Sequence, residues 1–400
     1  MVTTLESVSW VHEGLAQRVR FGSGRAAQAL GEEIEVLGAS RVMVIAAHAE
    51  SGLAEHITGG LPVAVRHDEV VMHVPVEVAE RARAVAADHH VDALVTVGGG
   101  STTGLGKAIA LTTGLPIVAV PTTYAGSEAT NVWGLTEAER KTTGVDPRVL
   151  PRAIVYDAAL TLTLPVEMSV ASGLNALAHC VDSMWGPRAD PIDRAFAAEG
   201  IHALADGLPR VVADPEGLPG RERALYAAYL SAVAFASAGS GLHHKICHVL
   251  GGMFDLPHAQ THAVVLPYVL AFNAPAAPDA AARIAAAFGS SAAPGTTAAF
   301  GSSAALDGLA ALRARLHAPR ALRDFGFTTT NIDAAAEAIL PAVPANNPRP
   351  VDIDDLRRLL SAALAGDDPA TMTSGTASST PMTSTPMTSA TMTSEGEGAQ

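Results

Sequence analysis

Four hundred residues exceed what one hydrophobic core usually supports, so two domains are expected, and a 48% hydrophobic content leaves apolar side chain for both. Only 16% of the chain is charged and the formal net charge is −14, with basic residues scattered singly, which argues against nucleic acid or an anionic membrane surface as partner. The opening MVTTLESVSWVHEG has no basic segment followed by an apolar run, and no stretch approaches the roughly 18–20 apolar residues of a membrane span, so a soluble, cytoplasmic protein is expected.

In chain order, Gly22-Ser23-Gly24-Arg25-Ala26-Ala27 fits G-x-G-x-x-A, but little strand precedes it. The carboxylate expected some 20 residues on is missing at Ala46-Ala47, so this GSG reads as a helix-opening turn. The same absence removes a barrier to the 2′-phosphate of NADP. From about residue 40 to 157, RVMVIAA, PVAVR, VDALVTV, PIVAVPTT and AIVYD read as strands buried on both faces. Residues 76–89 and 103–113 have the length and Ala-rich composition of crossover helices. The expected class is therefore an α/β N-terminal domain with a parallel sheet, residues 1–162.

Past Leu164 the strand signal disappears, and residues 166–185, 191–208, 221–238 and 304–316 are Ala/Leu-rich with helical spacing. They predict an all-α C-terminal domain over residues 163–366. Residues 367–400 repeat Met-Thr-Ser among Thr, Ser, Pro and Gly and end in EGEGAQ, a composition that cannot offset about 1–2 kcal/mol per residue of backbone ordering. A disordered, inert tail is expected there.

Strand VDALVTV runs into Gly98-Gly99-Gly100-Ser101-Thr102-Thr103, and a helix with Lys107 follows. Such a turn lets backbone N–H groups approach a pyrophosphate at the helix N-terminus. The next strand ends in Pro121-Thr122-Thr123-Tyr124-Ala125-Gly126-Ser127-Glu128, a second polar loop at the same sheet edge. Either loop alone reads as an ordinary turn; the two together outline a nucleotide crevice.

The stretch GSGLHHKICHVLGGMFDLPHAQTHAVVLP, residues 239–267, sets five histidines and one lysine among glycines and aliphatics. His244 and His248 share one helix face, and His258 follows a Gly251-Gly252 break and Pro257. Asn175 and His179 repeat the four-residue spacing in SGLNALAHCVD. Two helices presenting such pairs suit a metal site or a polar catalytic cluster better than a hydrogen-bonded structural core. Lys245 reads equally as a solvated helix residue or an anion contact, and Cys180 and Cys247 as reduced, packed thiols.

The blocks GGGSTTGLGKAIA, PTTYAGSEAT, SGLNALAHCVD and GLHHKICHVLGG…PHAQTHAVVLPYV, in this order over about residues 10–360, resemble the iron-containing (group III) alcohol dehydrogenase superfamily and, within it, the maleylacetate reductases. The segment VWGLTEAERKTTGVDPRVLPRAIVYD also looks like that branch. The resemblance implies a Rossmann-like, dehydroquinate synthase-like N-terminal fold and NADH or NADPH as cofactor. Gly98, Gly99, Gly100 and Ser101 would hold the pyrophosphate, with Thr122, Thr123 and Ser127 beside the nicotinamide ribose. The superfamily's four metal positions fall on Asn175, His179, His244 and His258, but the first is an aspartate in the alcohol dehydrogenases. Without that carboxylate no working metal is expected.

The implied reaction is reduction of maleylacetate to 3-oxoadipate in aromatic compound degradation. Hydride addition to the alkene gives an enolate, which calls for one or more of His179, His244 and His258 as protonated imidazoles. His248 or Tyr124 would relay a proton, and His243 and Lys245 would take the second carboxylate of the dicarboxylate substrate. A homodimer is the family-based expectation. The alternatives are a metal-dependent alcohol, glycerol or lactaldehyde dehydrogenase, then a dehydroquinate-synthase-like lyase, then a nucleotide-binding module without catalysis.

Overall fold

The computed structural model describes residues 9–137, 140–290 and 298–373. Strands β1 (Arg18–Phe21), β2 (Val42–Ile45), β3 (Val63–His67), β4 (Ala93–Gly98), β5 (Ile117–Pro121) and β8 (Ala153–Tyr156) form one sheet in the order β1-β8-β5-β4-β2-β3. All its pairings are parallel. Helices α1 (Ala26–Leu37), α2 (Ser51–Thr58), α3 (Val76–Asp88) and α4 (Gly100–Thr113) cover its two faces. Strands β2, β4, β5 and β8 are buried at every position because helices close both sides, which is why they read as unbroken apolar runs.

Two features escape that pattern. Strand β1, RVRF, lies at the sheet edge and pairs only with β8, so its alternate arginines face outward and no apolar run marks it. Strands β6 (Val132–Glu137) and β7 (Arg140–Val145) pair as a separate antiparallel hairpin, where the sequence reading assigned no elements. The GSG does open a helix: Gly24 adopts φ +72°, and the Gly24 and Ala26 N–H groups donate to the Asp157 carboxylate at 2.8 and 3.0 Å. An internal carboxylate thus takes the donors that a phosphate would need.

From β4 the chain passes through α4 to β5 on one side; from β2 it passes through α2 to β3 on the other. The order of the sheet therefore switches between β2 and β4, the place where open α/β sheets bind ligands beyond the strands' carboxyl ends.

After β8, a 3-10 segment (Ala158–Thr163) leads into helices only, among the described residues: α5 (Val166–Ser183), α6 (Pro191–Ala213), α7 (Leu218–Ala238), α8 (Leu242–Phe254), α9 (His258–Asn273), α10 (Pro278–Ala287), α11 (Ala298–Arg315), α12 (Ile332–Ile339) and α13 (Ile353–Ala365). None of the described helices is by itself long and apolar enough to cross a membrane. Helix α5 is buried from Ser169 to Ser183 and runs through the middle of the bundle. The loop after β5 packs on it directly: the Tyr124 N–H donates to Ser172 Oγ at 3.0 Å. Gly126, at φ +80°, meets α7 so closely that a Cβ there would lie 2.8 Å from the Ala232 Cβ.

The expectation of disorder over 367–400 fails at its start. Pro369–Met372 form a 3-10 turn, Met372 is buried in the cluster that holds Tyr268 and Phe327, and the Tyr268 hydroxyl donates to the Asp367 carbonyl at 2.9 Å. One anchored methionine and carbonyls capped by Tyr268 and Arg349 supply what composition alone did not reveal. The remainder, 374–400, lies outside the described residues. A chain ending at residue 366 is expected to melt roughly 3–8 °C below one ending at 373, since it loses Met372 from a core cluster. Equal melting temperatures in calorimetry would show that the turn contributes nothing.

Candidate active site

The cofactor side begins at Gly98, which takes φ +152° as β4 ends. A Cβ there would lie 2.4 Å from Thr102 Oγ1 and 2.6 Å from Glu50 Oε2, so only glycine fits. At Gly99 a Cβ would approach Thr123 Cγ2 to 3.0 Å. Helix α4 starts at Gly100, leaving first-turn N–H groups at the carboxyl edge of the sheet. This bare glycine cradle at the switch point fits a dinucleotide pyrophosphate, which Gly99, Gly100 and Ser101 would hold. The facing loop is braced from within. Lys107 is fully buried, and its ammonium donates to the Ser127, Thr130 and Val132 carbonyls at 2.6, 2.8 and 2.8 Å, so its role is structural. Thr122 lies at the cradle with its hydroxyl bonded to Glu50 Oε1 at 2.6 Å.

The catalytic side is assembled from three helices: Asn175, His179 and Asp182 from α5, His243, His244, Lys245 and His248 from α8, and His258 and His262 from α9. The His179 and His244 rings stack at 4.8 Å, with Phe235 of α7 4.7 and 4.2 Å from them. His248 meets His244 edge-on at 6.0 Å, and His258 meets His262 at 4.4 Å. Asn175 Oδ1, His179 Nδ1 and His244 Nε2 are buried without a hydrogen-bond partner, so the cluster presents free polar atoms.

Two residues that sequence reasoning passed over organise this cluster. Asp182 accepts from the backbone N–H groups of Gly241 (3.1 Å) and His244 (3.2 Å), and from His244 Nδ1 (2.7 Å). Carried on α5, it caps the N-terminus of α8 and fixes the tautomer of His244, leaving Nε2 as the free acceptor. A Cβ on Gly241 would stand 2.6 Å from Asp182 Oδ1, so this glycine admits the carboxylate. His262 pairs with His243 (Nδ1 to Nε2, 2.8 Å) and belongs, with His243 and His244, to a group whose ligand atoms lie within 4.8 Å of one another. The signal for Asp182 lay in SGLNALAHCVD, seven residues after Asn175, two helical turns along the same face.

Burial decides the charge. His179 is held down to about 4 and His243 to about 3, and His244 and His262 are also pushed well below the usual histidine range, in every case chiefly by desolvation. The expectation of protonated imidazoles at His179 and His244 is therefore corrected: near neutral pH they are neutral. Asp182 is pushed up to about 7 by burial, against the pull of the amides of His244, His243 and Gly241. His243 also departs from its expected role. It is fully buried, held largely neutral, and its Nε2 is bonded to His262 while Nδ1 is left without a partner, so it brings no cation to a substrate carboxylate, whereas Lys245 on the same helix is partly exposed. Tyr124 is buried between sheet and bundle with its hydroxyl without a hydrogen-bond partner. Cys180 and Cys247 are free and buried.

The four superfamily positions offer a divalent cation an amide and imidazoles but no carboxylate, while His243, His244 and His262 bring their ring nitrogens close enough together to hold one. Asn175 is neutral, Oδ2 of the nearby Asp182 carboxylate is engaged with α8, and the His179 and His244 planes lie 13° from parallel. Stacked rings direct their in-plane lone pairs side by side rather than toward one point.

Residues 16–158 match the iron-containing alcohol dehydrogenase family, and residues 169–364 match the C-terminal part of the Fe-containing alcohol dehydrogenase family. The chain belongs to this family and is an oxidoreductase. It is 61% identical to an iron-containing alcohol dehydrogenase from Corynebacterium glutamicum, whose crystal structure superposes with a TM-score of 0.87 over 92% of this chain and 100% of that one. It is 42% identical to a maleylacetate reductase from Pseudomonas sp. strain P51 over 90% of this chain and 99% of the relative. A maleylacetate reductase structure from Rhizobium sp. strain MTP-10005 shares 42% identity and a TM-score of 0.82, covering 90% of this chain and 99% of its own.

Asp182→Asn is expected to cut turnover at least tenfold while leaving NADH affinity intact, and to cost about 1–3 kcal/mol of stability, because the His244 tautomer and the α8 cap are lost together. Steady-state kinetics with urea unfolding tests this; unchanged turnover would remove Asp182 from the site. The depressed His179 carries a second expectation. The unfolded chain takes up a proton at 6.5 that the folded chain refuses until about 4, so this group's contribution to stability falls as pH drops through that window. The stability gap between wild type and His179→Gln should shift in the variant's favour by roughly 3 kcal/mol from pH 6.5 to about 4. Parallel denaturation curves at each pH read this directly, and a constant gap would mean that His179 titrates normally.

Proposed function

We propose that this chain reduces the conjugated C=C bond of maleylacetate to give 3-oxoadipate, with NADH or NADPH, as a cytoplasmic homodimer acting in aromatic compound degradation. The observation that carries this reading is a buried cluster of packed imidazoles in which Asp182 positions His244 and burial opposes protonation of the rings. The near full-length likeness to maleylacetate reductases supports the substrate.

When bound between Gly98, Gly99, Gly100, Ser101 and the loop carrying Thr122, Thr123 and Ser127, the reduced nicotinamide supplies the hydride. The alkene carbon that receives it is conjugated with the ketone, so negative charge develops on the ketone oxygen as an enolate. Imidazole N–H donors of His179 and His258 stabilise that oxygen, and the amide of Asn175 orients the substrate. Neutral imidazoles serve as electrophiles when burial keeps them unprotonated. His244, held through Nδ1 by Asp182, presents Nε2 to the site, and His248 beside it passes the proton that quenches the enolate carbon. Lys245, partly exposed one residue on, meets a carboxylate of the dianionic substrate. No step calls for a metal ion.

The test is consumption of NADH with freshly made maleylacetate, with and without EDTA, with glycerol and lactaldehyde as controls. Turnover of maleylacetate that survives EDTA, and that falls by about 10²–10⁴ in His244→Ala with NADH affinity retained, is the expected result. Activity only on the alcohols or aldehydes, abolished by EDTA, would instead assign the chain the chemistry named for the Corynebacterium relative.

A further inference from the structure

Besides the imidazole cluster, the described residues bring metal-ligating side chains together where the N-terminal segment meets the start of α6. Asp190 and Asp193 form the capping box of that helix. Asp190 Oδ1 accepts the Ile192 and Asp193 N–H groups at 2.7 and 2.9 Å, and Asp193 Oδ2 accepts the Asp190 N–H at 3.3 Å. Each carboxylate thus commits one oxygen to the helix start and turns the other away from it. Those outer oxygens meet His12, 178 residues from Asp190 in the chain. His12 Nδ1 lies 2.8 Å from Asp190 Oδ2 and 3.6 Å from Asp193 Oδ1, and Ser237 Oγ of α7 stands 3.4 Å from the same nitrogen. Both acids are buried, and Asp193 Oδ1 has no hydrogen-bond partner. Desolvation raises the pKa of Asp193, and the charge of Asp190 beside it adds to the rise.

We propose that His12, Asp190 and Asp193, with Ser237 alongside, form a structural site for a divalent cation of the Zn²⁺ kind, which fastens the N-terminal segment to the helical domain. A proton does not satisfy this arrangement. The single hydrogen on His12 Nδ1 serves Asp190 Oδ2, and Asp193 Oδ1 is left buried and unpaired beside a second carboxylate. A cation among the three satisfies all of these atoms together. Its two charges balance the two carboxylates, and His12 stays neutral with Nδ1 as a ligand. The spacing suits such an ion, because ligand atoms about 2.0–2.1 Å from a tetrahedral centre lie about 3.3 Å apart. The separations here are 2.8, 3.4 and 3.6 Å, and the ligand atoms of His12, Asp190 and Asp193 all lie within 4.8 Å of one another. An imidazole beside two carboxylates favours Zn²⁺, Co²⁺ or Mn²⁺ over Ca²⁺ and Mg²⁺, which take oxygen shells. The His12 side chain is 16% exposed, which leaves a path from solvent. Since His12 lies a few residues before β1, the ion ties the edge of the sheet to α6. The site shares no residue with the imidazole cluster and does not depend on the reading of the reaction.

The experiment is Co²⁺ titration followed by visible absorption, with melting curves in EDTA and in Zn²⁺, on the full chain and on His12→Gln, Asp193→Asn and His179→Gln. Asp193→Asn keeps an acceptor for the Asp190 N–H, so the helix cap survives while the ligand charge is lost. The wild type should bind Co²⁺ and melt about 3–6 °C higher with Zn²⁺ at a hundredfold excess over Kd than in EDTA, whereas Mg²⁺ should give no rise. His12→Gln and Asp193→Asn should each lose at least tenfold in Co²⁺ affinity and most of the Zn²⁺ effect, and His179→Gln should keep both. Hydrogen exchange of the backbone amides at 11–13 should slow at least tenfold when Zn²⁺ is added to the wild type. A wild type that neither binds Co²⁺ nor gains stability from Zn²⁺ overturns the proposal. So does binding that survives both His12→Gln and Asp193→Asn, or that is lost only in His179→Gln, since the ion would then lie elsewhere. Binding at His12 that leaves amide exchange unchanged overturns the fastening role.

Discussion

The contact on which the site depends is the one between Asp182 and the start of α8. One carboxylate oxygen takes two backbone N–H groups and an imidazole N–H, and so joins α5, α8 and the His244 ring in a single buried joint. Its geometry requires glycine at 241, because any side chain would occupy the volume of the carboxylate. Burial makes this joint stringent. With no water to substitute, losing one partner leaves the others unsatisfied, so the helix start, the tautomer and the ring orientation stand or fall together.

Desolvation then sets the chemistry of the cluster. Four imidazoles packed against Phe235 and one another cannot hold charge cheaply, and their pKa values fall. A superfamily whose name refers to iron here presents neutral donors, an amide at the position of the carboxylate ligand, and the nearest acid already committed. The cluster offers hydrogen-bond donors and acceptors, which on the proposed reading would serve a developing enolate.

The two halves meet because the loop after β5 is shared. Its near end faces the glycine turn and Glu50; its far end packs on α5 and α7 through Tyr124, Gly126 and Ser172. Buried Lys107 ties the loop's carbonyls together from below, which holds this bridge between sheet and bundle in one shape. Hydride transfer needs such rigidity, since donor and acceptor carbons must be held within contact distance.

The sequence by itself determined the classes of element and most of the ingredients of the site. Strands closed on both faces must be continuously apolar, glycines must stand where backbone approaches a ligand or a carboxylate, and histidines four apart must share a helix face. Those are local rules, and β2, β4, β5, β8, the Gly98 turn and the pairs on α5 and α8 obey them. Edge strand β1 and the anchored Met372 escaped because partners distant in the chain stabilise them; the β6–β7 hairpin pairs locally but has only partly buried or exposed positions in β6, so no apolar run marks it. Only the tertiary structure decided which atoms face one another. It placed Asp182 under His244, turned His243 inward to His262, sealed Tyr124 in the core and set Glu50 over Gly98. It also decided the protonation of the histidines, because the solvent lost by each imidazole is a property of the whole fold and leaves no mark on the spacing of residues along the chain.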